Sequence, residues 1–449
     1  MFQTFKNAWK VPDLRKKILF TLMILLLYRI GASLFVPYVN ADFLTTQAEY
    51  AFNSQGIFSF INLVSGDAFS KATLFALSVS PYITASIVMQ LLTIAIPALE
   101  RLSKQGEEGK KKITKYTRWV TIGLSLITAY GYVKLLETFS NPFTGETALL
   151  ISKAADKTQY YFGMIVMIAC FCAGAALIMW LAEQINDHGI GNGISMILFA
   201  NILATFNTMI QGMIDMVSGK TGGALAGGIV EVVVSVLLVL GAILLIVWFT
   251  NSERRIPIQY AKRVVGRKMY GGQSSNLPLK MNMAGVMPVI FASSIVAIPA
   301  TIAGFTGGGF ATWVEKWLGP TSPIYIALFI VLIFAFSYFY IMISFSPVEV
   351  ANNIRSNGGM IPGIRPGKPT SDYIKKILNR VTLIGALFLI VISALPLIVS
   401  AVCAACGVTD FTSIAFTGTS LLIVVGVALE TVRDLEAQLA MRNYKGFLD

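Results

Sequence analysis

Long apolar runs separated by short polar stretches dominate the chain. Crossing a bilayer core of about 30 Å takes roughly 20 apolar residues, because a helix rises about 1.5 Å per residue. Ten segments come close to that length and are predicted to be membrane-spanning helices, at residues 18–36, 72–97, 119–138, 160–182, 190–210, 228–249, 284–304, 323–344, 381–401 and 413–429. The pattern therefore predicts an all-α polytopic membrane protein, since helices satisfy their own backbone polar groups within lipid.

One further apolar segment is too short to cross a membrane. Residues 57–70 read IFSFINLVSGDAFS and would form roughly 21 Å of helix. Asn62, Ser65 and Asp67 interrupt its apolar character. Such a segment lies at the membrane interface, or it re-enters the protein where its polar groups meet water or other helices. The pattern alone leaves both alternatives open.

Two of the predicted spans, 72–97 and 284–304, combine proline with small polar residues. These positions are Pro81, Thr84 and Gln90 in the first span and Pro288, Ser294 and Pro299 in the second. A proline inside a helix frees a backbone carbonyl, which neighbouring groups or water must satisfy. Polar residues at this depth indicate a helix–helix contact or a water-lined path. Ordinary helix packing is the alternative that spacing cannot exclude.

The charges are distributed asymmetrically along the chain, whose formal net charge is +12. Most of the 35 Lys and Arg residues lie before the first span, in the loops 101–118, 250–283 and 345–380, and after the last span. Short loops rich in Lys and Arg stay on the cytoplasmic side of a membrane. We therefore expect both termini to be cytoplasmic.

The composition narrows the functional class. Hydrophobic residues make up 55% and charged residues 13% of the chain, against about 25% charged residues in soluble proteins. A disordered chain is excluded and a soluble enzyme is disfavoured. One histidine, His188, excludes most multi-histidine metal sites, and Cys403 and Cys406 form one CxxC pair without an evident second pair of ligands. We expect no enzymatic activity, no cofactor and no metal.

The loops 250–283 and 345–380 are longer than simple connections and strongly basic. Their glycines and prolines are typical of defined turns. Basic loops of this kind can dock an anionic surface, which would be lipid, an acidic protein or RNA phosphate. Their charge could also serve only to orient the chain in the membrane.

Several long motifs in order along the chain resemble the SecY family, the channel subunits of the bacterial Sec protein translocase. The match runs from about residue 17 to about residue 444. Its most specific parts are YRIG (28–31), SPYITASIVMQLLT (80–93), EQINDHGIGNGIS (183–195), RRIPIQYAKR (254–263), LPLKMNMAGVMPVIFASS (277–294), PGIRPG (362–367) and GTSLLIVV (418–425).

The resemblance implies an hourglass-shaped channel in the bacterial cytoplasmic membrane. Its ten helices would form two inverted, pseudo-symmetric halves of five, at residues 1–210 and 211–429, with a cytoplasmic tail at 430–449. Such a channel passes unfolded secretory polypeptides across the membrane and releases signal or transmembrane segments sideways into lipid. An ion-coupled secondary transporter is the alternative that ten spans and broken helices also allow, although no span carries a central chain of acids.

The resemblance also implies roles for particular residues. A ring of aliphatic side chains at the waist falls on Val79, Ile83, Ile194, Leu198, Ile290 and Ile423. Segment 57–70 becomes a short plug helix, represented by Ile57, Phe60, Ile61, Asn62, Ser65 and Gly66. A lateral gate would be lined by Thr84, Gln90 and Ser294. Docking of the ribosome and SecA would use Arg254, Arg255, Lys262, Arg263 and Arg365.

The family also implies partners. The small subunits SecE and SecG would complete the complex, and the motor ATPase SecA or the ribosome would dock on its cytoplasmic face. Signal sequences, unfolded preproteins and membrane lipids would be the molecules that the channel handles.

Overall fold

The computed structural model describes residues 2–45, 62, 65–138, 147–150, 157–206, 210–211, 214, 223–260, 263–265, 268–270, 274–306, 308–319, 322–405 and 418–445. Its helices are α1 (Phe2–Lys10), α2 (Pro12–Gly31), α3 (Ala41–Phe43), α4 (Ser80–Ala95), α5 (Pro97–Ser103), α6 (Glu107–Thr138), α7 (Lys157–His188), α8 (Gly193–Ala204), α9 (Gly223–Asn251), α10 (Met287–Thr306), α11 (Gly308–Leu318), α12 (Pro323–Ser344), α13 (Pro347–Ser356), α14 (Lys368–Ala405) and α15 (Gly418–Lys445). Its strands are β1 (Glu253–Tyr260), β2 (Arg263–Val265), β3 (Lys268–Tyr270), β4 (Ser274–Lys280) and β5 (Gly359–Met360).

The helices confirm the predicted class of fold. A helix lies within or across each of the ten predicted segments. Within the described part of the chain, five helices are long and apolar enough to cross a membrane by themselves, or six if the bent pair α4 and α5 forms one span. The other segments hold shorter or partly charged helices, such as α8 and α10. The number of ten crossings therefore stays a prediction.

The second predicted span is helical over a shorter range than we expected. Residues 66–79 form turns, and α4 begins only at Ser80. The helix ends at Ala95, and α5 leaves it at an angle of 105°. The cause is Pro97, because the residue before a proline is forced out of the helical conformation; Ile96 indeed has φ −108° and ψ 112°.

Two of the three prolines noted in the polar spans lie at the start of a helix and not inside it. Pro81 lies in the first turn of α4, and Pro288 is the second residue of α10. At the start of a helix the missing N–H of proline costs nothing, since it would have no partner within the helix. Only Pro299 lies inside its helix.

The described helices pack around a central apolar cluster. It contains Ile24 and Tyr28 of α2, and further buried side chains from α4, α7, α8, α9, α10, α12, α14 and α15. Helix α10 contacts α4, α6 and α12, and α15 contacts α8, α9 and α14. A second cluster, which includes Phe69, Tyr132 and Phe171, joins residues 65–77 to α6 and α7.

Short strands occupy the two long basic loops, which the hydrophobic pattern did not reveal. Strand β1 lies between β4 and β5 in an antiparallel sheet, with Arg255 opposite Pro278 and Gln259 opposite Met360. Ile256 and Ile258 of β1 are buried in a cluster that also holds residues of α13 and α14. The two loops therefore form one platform seated on the helix ends.

Candidate functional site

Six aliphatic side chains singled out by the resemblance meet in the central cluster. Val79 immediately precedes α4 and Ile83 lies in it, Ile194 and Leu198 lie on α8, Ile290 on α10 and Ile423 on α15. All are buried except Ile194, which is half-buried and packs against the cluster. The structure therefore brings together residues that are up to 344 positions apart in the sequence.

The position of α8 in this cluster follows from a tight turn. Asn192 caps the helix by accepting a hydrogen bond from the backbone N–H of Ile194 at 3.1 Å, and the side chain of Asn186 accepts one from Gly193 at 2.7 Å. A Cβ on Gly193 would lie 2.0 Å from the carbonyl oxygen of Ala182. Only glycine allows α7 and α8 to approach this closely.

The described part of the predicted plug segment is buried in protein. Asn62 and Ser65 are 2% and 0% exposed. The Ser65 hydroxyl donates to the carbonyl oxygen of Asn62 at 2.9 Å and accepts from the N–H of Phe69 at 3.0 Å, while the Asn62 side chain accepts from the N–H of Ser70 at 3.0 Å. These hydrogen bonds satisfy backbone polar groups in a part of the chain that is not helical after Ser65. For these residues burial favours the re-entrant alternative over an interfacial helix.

The remaining predicted plug residues, Ile57, Phe60 and Ile61, lie outside the described residues. Among the contacts that hold residues 65–74 in place are one with α6 and one with the chain after α2. The Tyr132 hydroxyl of α6 donates to the carbonyl oxygen of Phe69, and the rings of these residues lie 4.6 Å apart. The N–H of Leu74 donates to the carbonyl oxygen of Leu34 at 2.8 Å, just beyond the end of α2.

A polar group inside the helix bundle escaped the sequence analysis. Asn201 of α8 is fully buried, and its amide nitrogen lies 2.9 Å from the hydroxyl of Tyr28 and 3.4 Å from that of Ser78. Arg29 of α2 donates to the carbonyl oxygen of Gly66 at 3.3 Å. A lone asparagine in the apolar run 193–204 was the signal that could have identified this group.

The three predicted gate residues lie on two helices that contact each other, α4 and α10. The hydroxyl of Thr84 donates to the carbonyl oxygen of Ser80 at 3.0 Å, and that of Ser294 donates to the carbonyl oxygen of Ile290 at 2.8 Å. Both bonds stay within their own helix. Gln90 is half-buried near the end of α4.

The predicted docking residues are divided between described and undescribed parts. Arg254 and Arg255 are exposed on β1, and Arg255 forms a 2.6 Å ion pair with Glu253. Arg365 is exposed in the turn between β5 and α14. The pairing of β5 with β1 brings these basic loops together. Lys262 lies outside the described residues, as do the side chains of Arg263, Cys403 and Cys406.

Comparisons with known proteins identify the family. The SecY family model matches residues 73–432. The protein translocase subunit SecY of Streptomyces galbus is 44% identical over 451 residues, which cover both chains completely. A solved SecY structure, described as having a plug domain that stabilises the closed state of the translocation channel, matches with a TM-score of 0.60 and 18% identity, covering 94% of this chain and 92% of that one. An idle yeast complex bound to the yeast 80S ribosome matches with a TM-score of 0.55 and 15% identity, covering 92% and 88%. The chain therefore belongs to the SecY family.

Proposed function

We propose that this protein is the channel subunit of a protein translocase, which passes unfolded secretory polypeptides across the bacterial cytoplasmic membrane. The convergence of six aliphatic residues from four parts of the chain carries the proposal. Membership of the SecY family and the full-length similarity to a translocase subunit support it.

An aliphatic constriction suits this function for a physical reason. A pore for unfolded polypeptide has to accept every side chain, and fixed charges or hydrogen-bond donors would hold some sequences and reject others. Branched aliphatic side chains bind nothing strongly, and they close a pore by excluding water. Val79, Ile83, Ile194, Leu198, Ile290 and Ile423 form this ring. The ring closes around a moving chain and limits the leakage of ions.

The segment 57–70 acts as the plug of the resting channel. The burial of its described part beside the central cluster supports this role. The solved SecY structure that this chain resembles is described as having a plug domain that maintains a membrane seal. When a polypeptide enters, the segment moves away from the path.

The contact between α4 and α10 is the lateral gate. Thr84, Gln90 and Ser294 line it. The hydroxyls of Thr84 and Ser294 bond to their own helices, so that opening the contact need not break these hydrogen bonds. A signal sequence, which is an apolar helix, leaves the channel through this opening because burial of apolar surface in lipid is favourable.

The platform of β1, β4 and β5 is the docking surface for the partners that drive transport. Its exposed Arg254, Arg255 and Arg365 attract acidic or phosphate-bearing surfaces, as on SecA or the ribosome. Lys262 and Arg263, which the resemblance also assigns to docking, would add to its positive charge. SecE and SecG complete the complex within the membrane.

Reconstitution tests the proposed function directly. The chain is assembled with SecE and SecG in lipid vesicles, and SecA, ATP and an unfolded preprotein are added. We expect ATP-dependent protection of the preprotein from external protease. A translocase of established activity, reconstituted in parallel, serves as the control. Absence of protected preprotein in vesicles of this protein, while the control vesicles protect it, would contradict the proposal.

A further inference from the structure

Four separate parts of the chain meet at one buried polar side chain, Asn201. Its amide nitrogen lies within hydrogen-bond distance of Tyr28 on α2, at 2.9 Å, and of Ser78 before α4, at 3.4 Å. A Cβ built on Gly66 would lie 3.1 Å from the Cα of Asn201. From its own helix, α8, Asn201 therefore lies against α2, the plug-bearing segment (residues 65–74) and the residue pair before α4.

The surroundings of Asn201 are closed and well packed. Asn201 and Tyr28 are 0% exposed and Ser78 is 2% exposed. The ring of Tyr28 stacks on that of Phe75, with 5.2 Å between centroids and 11° between planes. Burying an amide away from water is unfavourable unless it is hydrogen-bonded. This arrangement therefore disfavours any state in which α2, residues 75–78 and α8 move apart without new partners for the amide.

The position of Asn201 links these contacts to the proposed ring. Ser78 is next to Val79 in the chain, and Leu198 lies one helical turn before Asn201 on α8. The hydrogen bond between Asn201 and Ser78 therefore joins the two backbones that carry these ring residues. Opening the ring between α4 and α8 has to stretch or break this bond.

From this geometry we infer that Asn201 is a positioning residue of the channel, which holds Val79, Leu198 and the plug-bearing segment in the closed arrangement. The inference rests on the proposed function. Asn201 is fully buried, and it acts through the elements that it joins. Its hydrogen bonds add to the energy that a signal sequence must supply, so they set how apolar a signal must be to open the channel.

The hydrogen bonds of the Asn201 amide are weak enough to break each time that a channel opens. A hydrogen bond between side chains inside a membrane shifts an equilibrium by about threefold on average. Loss of the Asn201 amide should therefore raise the resting open probability by roughly three- to tenfold, since two bonds are involved.

A double-mutant cycle tests the inference. The variants are Asn201→Ala, Tyr28→Phe and the double variant, each assembled with SecE and SecG. The Tyr28→Phe change keeps the aromatic ring against Phe75 and removes the hydroxyl. We measure the resting ion conductance in planar bilayers and the SecA-driven transport of a preprotein with a weakened signal sequence. Both single variants should raise both quantities. Relative to the wild type, the increase in the double variant should be smaller than the product of the two single increases, because both changes remove the same hydrogen bond.

Ser337→Ala provides the matched control. Ser337 is a buried hydroxyl in α12, and it donates to the carbonyl oxygen of Ile333 in its own helix at 2.7 Å. Its removal should change neither quantity. If Asn201→Ala does not assemble with SecE and SecG, the conductance and transport of Tyr28→Phe alone test the inference. The inference would be overturned if the Asn201 and Tyr28 variants kept the conductance and signal selectivity of the wild type while the wild type transported normally. Failure of the wild type to transport would instead count against the proposed function.

Discussion

Gly66 shows how a single residue controls the fit of the plug-bearing segment. Its φ of +66° lies in the left-handed region, which costs an L-residue with a side chain about 1–2 kcal/mol. A Cβ at this position would also lie 3.0 Å from Nη1 of Arg29 and 3.1 Å from the Cα of Asn201. Backbone strain and crowding therefore act together at Gly66.

At this scale we predict that Gly66→Ala loosens the segment. The added methyl group should push the chain away from Arg29 and Asn201 and raise the resting ion conductance in planar bilayers several-fold. The same change at Gly106 is the matched control, because Gly106 has φ +74° but no atom within 4 Å of a built Cβ. Equal conductance in the Gly66 and Gly106 variants would show that crowding at Gly66 has no part in closing the channel.

At the scale of elements, the strand β1 converts two loops into a rigid surface. Its alternating burial places Ile256 and Ile258 against α13 and α14 and leaves Arg255 and Gln259 toward solvent. Pairing with β4 and β5 satisfies the backbone on both sides of the strand. For the proposed docking, the backbone that carries the basic side chains is therefore already ordered, which would reduce the entropy lost on binding.

For this platform we predict that Arg365→Glu impairs SecA-driven transport while leaving membrane insertion of the subunit intact. A reversed charge repels an acidic partner surface and slows its association. Transport is measured at matched protein levels, and Arg101→Glu, the same charge reversal at an exposed residue of α5, is the control. If the two variants transported equally, the assignment of docking to the platform would be wrong.

At the scale of the whole molecule, helices that are distant in the sequence bring the proposed ring residues into one apolar cluster. Residues from α4, α8, α10 and α15 belong to one cluster, whereas each helix alone presents an ordinary apolar face. The same cluster contains many buried residues with no assigned role, such as Ile333. Ring residues therefore have to be distinguished from general core residues by experiment.

The ring predicts that Ile83→Asn combined with Ile194→Asn increases resting ion conductance and weakens the rejection of poor signal sequences. Polar side chains would hold water in the constriction and remove its barrier to ions. Bilayer recordings measure the first effect and transport of a preprotein with a weakened signal measures the second. Ile333→Asn makes the same chemical change elsewhere in the cluster and should leave conductance low. Unchanged conductance in the double variant would remove these residues from the ring.

The sequence predicted the class of fold because the requirements of a membrane are local. Each span has to supply its own apolar length and backbone hydrogen bonds, and both can be read from a single segment. The helices at Lys157–His188 and Pro323–Ser344 therefore include the predicted spans. The roles of the site residues came from the resemblance and stay predictions, as do the division into halves and the cytoplasmic location of both termini.

By itself, the sequence determined the apolar segments, the helical membrane fold and the family. The tertiary structure decided which side chains meet: the ring candidates in one cluster, the strands that join two basic loops, and the contacts of Asn201 with Tyr28 and Ser78. It also decided that α4 begins at Ser80, after a run of hydrogen-bonded turns. The physical reason is that these features depend on partners far away in the chain, whose approach no local pattern of residues encodes.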